Sequence, residues 1–102
     1  MILIVGTNVQ ASDEAAAALF RAGHIPVMAE WFAFSLLADA RTLPDGHSAV
    51  REVLHPISER LLDRCDSVLR VNGPAPEADE VVGLARGRGL RVHFSLQEAL
   101  DG

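Results

Sequence analysis

Apolar residues along this chain fall into short unbroken runs, separated by stretches with helical spacing, and that alternation predicts an α/β fold. Ile2–Val5 is a continuous run rich in β-branched residues and ends at Gly6-Thr7-Asn8, the pattern of a strand buried on both faces followed by a turn. Ser12-Asp13-Glu14 supplies an N-cap and first-turn acids, Ala15–Ala22 the body of a helix, and Gly23 its stop. Ile25–Ala29 reads as a second short strand. Met1–Ala29 is then one β-α-β unit, which requires parallel strands and a right-handed crossover.

Further along, Trp31–Ala40 reads as a helix or a hydrophobic flap, Thr42–His47 as a loop, and Ser48–Leu54 as one or two helical turns. Pro56 suits the first position of another helix reaching about Arg64, on which Ile57, Leu61, Leu62 and Cys65 make a core-facing stripe. Ser67–Val71 is the third strand, ended by Asn72-Gly73-Pro74. Pro76 opens a helix with Glu77, Asp79 and Glu80 in its first turns and Val81, Val82, Leu84 and Ala85 on its apolar side, stopping around Gly87–Gly89. Leu90–Phe94 is the fourth strand, and Ser95-Leu96-Gln97-Glu98 is a capping box opening a short terminal helix. The order predicts a flavodoxin-like three-layer sandwich, with a four-stranded parallel sheet in the order 2-1-3-4 and a single domain spanning residues 1–102.

Composition adds four points. With 49% hydrophobic residues in 102, the chain has one core and apolar surface to spare, so a homodimer is expected. The segment Trp31–Leu37, holding Trp31, Phe32, Phe34, Leu36 and Leu37, is placed near its interface. The net charge of −5 and nine basic residues, all arginine and scattered from Arg21 to Arg91, leave no phosphate-backbone footprint, which argues against nucleic acid as a partner. Trp31–Ala40 is too short to span a bilayer and Met1–Val5 lacks a basic flank, so a cytoplasmic protein without a membrane partner is expected. The lone Cys65 excludes an internal disulfide and a CxxC site, and the four histidines share no metal-ligand spacing; neither a metal nor a cofactor is expected.

In such sheets ligands bind beyond the carboxyl ends of the strands, where Gly6–Asn8, Ala29–Phe32, Asn72–Glu80 and His93–Ser95 should meet. Gly6 permits close backbone approach, and Thr7, Asn8, Asn72 and Gly73 are candidate ligand contacts; a plain strand-to-helix turn is the competing reading. Trp31 either stacks on a planar ligand or packs into core or interface. Glu77, Asp79 and Glu80 either provide a nucleophile or general base, or complement a helix dipole. No GxGxxG and no GxxxxGK[ST] is present, so dinucleotide and P-loop readings lack support.

Three stretches resemble the nucleoside 2-deoxyribosyltransferase-like superfamily: Ile4-Val5-Gly6 with Ala16–Leu19 and Ala22–Val27; Leu61–Leu69; and Gly83–Val92. Together they span most of residues 2–93. The resemblance implies a flavodoxin-like fold, a nucleoside or nucleotide ligand, and cleavage or transfer of an N-glycosidic bond by a glutamate that attacks the anomeric carbon, a second acid assisting. Aligned on Gly83, Ala85 and Gly89, the family's glutamate falls on Val81, with Glu80 one residue early. Aligned on Cys65-Asp66, its aspartate falls on Ser58, with Glu59 adjacent. One residue on a helix is a rotation of about 100°. Glu80 is therefore the candidate nucleophile, with Glu59 and Asn8 in support, if the protein is an enzyme. A non-catalytic relative that binds a small ligand or dimerises is the alternative.

Overall fold

The computed structural model describes residues 1–6, 9–36, 46–71, 73 and 75–101. Strands β1 (Ile2–Val5), β2 (Pro26–Val27), β3 (Ser67–Arg70) and β4 (Arg91–His93) alternate with helices α1 (Val9–Arg21), α2 (Ala29–Leu36), α3 (Gly46–Leu62), α4 (Pro76–Gly87) and α5 (Leu96–Asp101). The strands form one parallel sheet in the order β2-β1-β3-β4. This is the flavodoxin-like topology expected from the sequence, and its order reverses between β1 and β3.

The unbroken apolar strands are explained by cover on both faces. Leu3, Val5 and Val68 point to one side, against Leu62 and Cys65 and the α4 residues Ala78, Val81, Val82 and Ala85. Ile2, Ile4 and Leu69 point to the other, against Ala15 and Leu19 of α1 and Ala99 of α5. Leu3, Leu19, Val68 and Ala85 are completely buried. Cys65 sits at the base of this core; burial pushes its thiol up, opposed by the N-terminal ammonium and reinforced by Asp66.

Local signals misplace several boundaries. Helix α1 begins at Val9 rather than after Ser12, which lies buried inside it. The extra turn brings Ala11 against the sheet beside Ala15 and Leu19, and that burial outweighs the capping preference of Ser12. Strand β2 is two residues long, not five, because α2 starts at Ala29 and packs on α3; Pro26 is tolerated on this edge strand. Pro56 does not open a helix. It lies inside α3, which runs from Gly46 and so absorbs both the turns expected at Ser48–Leu54 and the last two residues of the expected loop. A mid-helix proline costs about 3 kcal/mol locally. Here Leu54, Ile57 and Leu61 on either side pack around Ala29 of α2, and the helix continues through. The segment Trp31–Ala40 is helical to Leu36; residues 37–45 lie outside those described.

The helix α5 cap forms as expected in one half. The Glu98 amide donates to the Ser95 hydroxyl at 3.1 Å. The return bond to the Glu98 carboxylate comes from the Phe94 amide, also at 3.1 Å, one residue earlier than a standard capping box has it.

Candidate functional site

Glycine is required where β1 leaves the sheet. Gly6 has φ +147°, and a Cβ there would lie 3.0 Å from the Val71 Cβ and 3.2 Å from its carbonyl oxygen. The Val71 amide donates to the Val5 carbonyl at 2.8 Å, extending the parallel β1–β3 pairing so that Val71 runs directly beside Gly6. The need for glycine at this point comes from its positive φ and from the close approach of Val71.

Arg70 ends β3 at the switch point and organises the edge. It is buried, 9% exposed, on the face that α4 covers. Its Nε donates to the Asp79 carboxylate at 3.1 Å, its Nη2 to the Gly73 carbonyl at 2.7 Å, and its Nη1 to the Val71 carbonyl. One side chain thus ties the β3–α4 turn to the first turn of α4. That helix starts on Pro76 with no side-chain cap from Ala75, so its start rests on the turn that the two carbonyl bonds hold.

Around Arg70 the carboxyl edge is hollow. One cavity, of about 210 Å³, is bounded by Glu14 of α1, by Leu69, Arg70 and Val71, and by Phe94 and Ser95 after β4. A second, of about 290 Å³, is bounded by Gly73 and Asp79 and shares Arg70, Val71 and Phe94 with the first. Phe94 is 46% exposed, and the Arg86 guanidinium carbon lies 5.5 Å from its ring centroid. The edge therefore offers an aromatic face, a carboxylate on Glu14, a hydroxyl on Ser95 and a guanidinium already engaged with three acceptors.

Of the acids singled out in the sequence, Asp79 bounds the second cavity, and the two adjacent to the family's catalytic positions lie elsewhere. Glu80 and Glu59 meet at His55: its Nδ1 is 3.0 Å from Glu59, one turn away on α3, and its Nε2 is 3.9 Å from Glu80 on α4. The Glu80 side chain is 68% exposed, and neither acid borders either cavity. Val81 and Ser58 are both buried, Val81 among Leu3, Val5 and Val68 in the main core. Of the expected ligand contacts, Gly73 borders the second cavity. Gly6 is engaged with Val71, and Trp31 is half exposed at the start of α2, away from both cavities. Thr7, Asn8 and Asn72 lie outside the described residues. Among the described residues, no three His, Cys, Asp or Glu side chains converge as metal ligands, and no helix is long and apolar enough to cross a membrane.

Sequence reasoning missed Arg70 and Glu14, and placed the segment His93–Ser95 at this edge without singling out Phe94. Arg70 alone left a signal: a charge at the end of the otherwise apolar run Val68–Val71, which a two-face-buried strand accommodates only when the charge is paired. Glu14 was placed in a first turn as a dipole partner, and the earlier start of α1 moves it one turn inward, to the rim of the cavity.

No family model, curated protein or solved structure matches the chain. What the structure shows is the α/β fold with its four-stranded parallel sheet, and the chemistry of this edge carries the functional reading.

Proposed function

We propose that this domain is a non-catalytic relative of the nucleoside 2-deoxyribosyltransferase-like superfamily that binds a small nucleoside-class ligand at the carboxyl edge of its sheet. The position of the acids carries the reading. The slot that the resemblance assigns to the nucleophile is Val81, inside the core, while Glu80 lies across the α3–α4 seam from His55 and borders neither cavity of the carboxyl edge. A nucleophile must sit roughly 3 Å from the anomeric carbon, and neither candidate acid lines either cavity of the carboxyl edge. Phe94, Glu14 and Ser95 supply what recognition needs without chemistry: a ring face, an acceptor for sugar hydroxyls and a hydroxyl.

The transferase reading keeps one observation in its favour. Glu80 and Glu59, the two acids singled out by the sequence, do come together, bridged by one imidazole. Incubation with a panel of nucleosides and nucleoside 5′-monophosphates, with calorimetry for binding and chromatography for free base, separates the two. Binding without base release is expected. Release that disappears in Glu80→Gln would overturn the binding reading in favour of the enzyme.

We also propose that the domain works as a homodimer through the α2 face. Trp31 and Phe32 are 45% and 43% exposed in the first turn of α2, a large apolar area for one short helix beside an edge strand. Light scattering should give twice the 11.0 kDa chain mass at micromolar concentration, falling to the chain mass in Trp31→Glu with the fold retained by circular dichroism. A monomeric wild type would exclude it.

A further inference from the structure

Resting on the binding reading above, we propose that Asp79 is a specificity-determining residue: it occupies the Arg70 guanidinium and thereby closes a latent anion site at the floor of the second cavity, so that the edge takes ligands carrying no phosphate at that end.

Arg70 has the attributes of an anion receptor. It is nine-tenths buried, it borders both cavities, and its orientation is set by two backbone carbonyls, those of Val71 and Gly73. A guanidinium held this way loses little freedom on meeting a phosphate or carboxylate, and its fork matches either. The partner it has instead is Asp79, bound through the single Nε contact at 3.1 Å. The Asp79 side chain is otherwise open, 70% exposed, and it forms part of the wall of the second cavity. It is therefore placed where an incoming anion would have to sit, and it carries the same charge as that anion.

The surroundings reinforce the exclusion. Glu77 stands with Asp79 in the first turn of α4, and Glu14 lines the neighbouring cavity. The chain has no lysine, its net charge is −5, and the nearby Arg86 lies over the Phe94 ring. A tethered carboxylate competes with a soluble anion at high effective concentration. Two like charges near one guanidinium repel each other strongly in a partly buried setting. Together these leave the guanidinium available for holding the turn but not for holding a phosphate.

Asp79→Asn removes the charge while keeping an amide oxygen to accept the Arg70 Nε–H, so the turn is retained. The experiment is titration of the intact domain with inorganic phosphate, a nucleoside, and the 5′-monophosphate of that nucleoside. The three proteins compared are wild type, Asp79→Asn, and Glu77→Gln, which removes the same charge from the same helix turn. Phosphate and the monophosphate should bind Asp79→Asn at least about tenfold more tightly than wild type, with the nucleoside affinity unchanged within about twofold and Glu77→Gln resembling wild type. Equal gains in Asp79→Asn and Glu77→Gln would reduce the effect to net charge and overturn the proposal, as would a wild type that binds the monophosphate more tightly than the nucleoside. If none of the three proteins binds any nucleoside while Asp79→Asn alone gains inorganic phosphate, the gate stands and the nucleoside reading falls.

Discussion

Val81→Glu is expected to destabilise the domain by about 3–5 kcal/mol at pH 7, the cost of leaving a buried carboxylate without a partner. This substitution restores the residue that the superfamily resemblance places at the catalytic slot, so the intuitive result would be a gain of activity. The structure argues for the opposite. Val81 is 5% exposed and packs with Leu3, Val5, Val27 and Val68 on the α4 face of the sheet, while the one described cation buried on that face, Arg70, is already engaged with Asp79 and two carbonyls. A loss of this size is a large part of the roughly 5–15 kcal/mol that holds a domain of this kind together, and it should lower the melting temperature by on the order of 20 °C.

The pH dependence identifies the cause. Burial disfavours the ionised form, so the introduced carboxyl has a folded pKa above its unfolded value of about 4.3. Below about pH 4 the carboxyl is protonated in both states and the ionisation penalty is absent. As the pH rises past that value the unfolded chain releases the proton first, and the penalty grows until the folded value is passed. Melts of wild type and variant at pH 4.5 and 7.5 should therefore show a deficit that widens with pH. Wild type contains a group of opposite sign. Asp66 is held below the usual carboxylate range by the hydrogen bond and charge of the N-terminal ammonium at 2.9 Å, so the stability it contributes is present above its unfolded pKa and is lost as pH falls through the folded one. That contribution is common to both proteins and cancels. An equal deficit at both pH values would assign the loss to volume alone, and no deficit would mean that Val81 does not face the core.

Arg70→Leu is expected to cost about 2–3 kcal/mol, lowering the melting temperature by roughly 10–20 °C, although a leucine in a buried strand would ordinarily be harmless. The carbonyls of Val71 and Gly73 lose their donor together, and the bond to Val71 is buried. An unsatisfied buried acceptor costs about 1–3 kcal/mol, more than the net gain from making the bond. Asp79→Ala removes the third partner, but its side chain is 70% exposed and water replaces the lost bond, so a cost of under about 1 kcal/mol is expected. The contrast separates the two roles of the arginine: turn-holding resides in the carbonyl bonds, and control of its charge in Asp79. Amide exchange should report the difference locally. In Arg70→Leu, the first hydrogen-bonded amides of α4, beginning with that of residue 79 to the Ala75 carbonyl, should exchange faster than the rest of that helix, whereas in Asp79→Ala they should keep most of their protection. Comparable melting losses in the two variants would contradict this division.

The strand order and the two-sided core were legible because the apolar runs Ile2–Val5 and Ser67–Val71 can be buried only between helical layers, and the intervening helical spacing supplies those layers. The β3–α4 joint was legible for a similar local reason: Pro76 can open a helix but cannot continue a strand. What local chemistry could not decide was any boundary at which burial competes with propensity. Pro56 looks like a helix start until Leu54, Ile57 and Leu61 are seen packed about Ala29, and Ser12 looks like a cap until Ala11 is seen against the sheet. The candidate site depends still more on tertiary structure. Glu14, Arg70, Phe94 and Ser95 are separated by up to eighty residues and meet only because β3 lies beside both β1 and β4. The direction in which Glu80 points follows from the rotation of α4, which the sheet sets by burying Ala78, Val81, Val82 and Ala85. Composition and spacing determine which residues must be inside; which polar residues then share an edge is decided by the packing of elements distant in sequence.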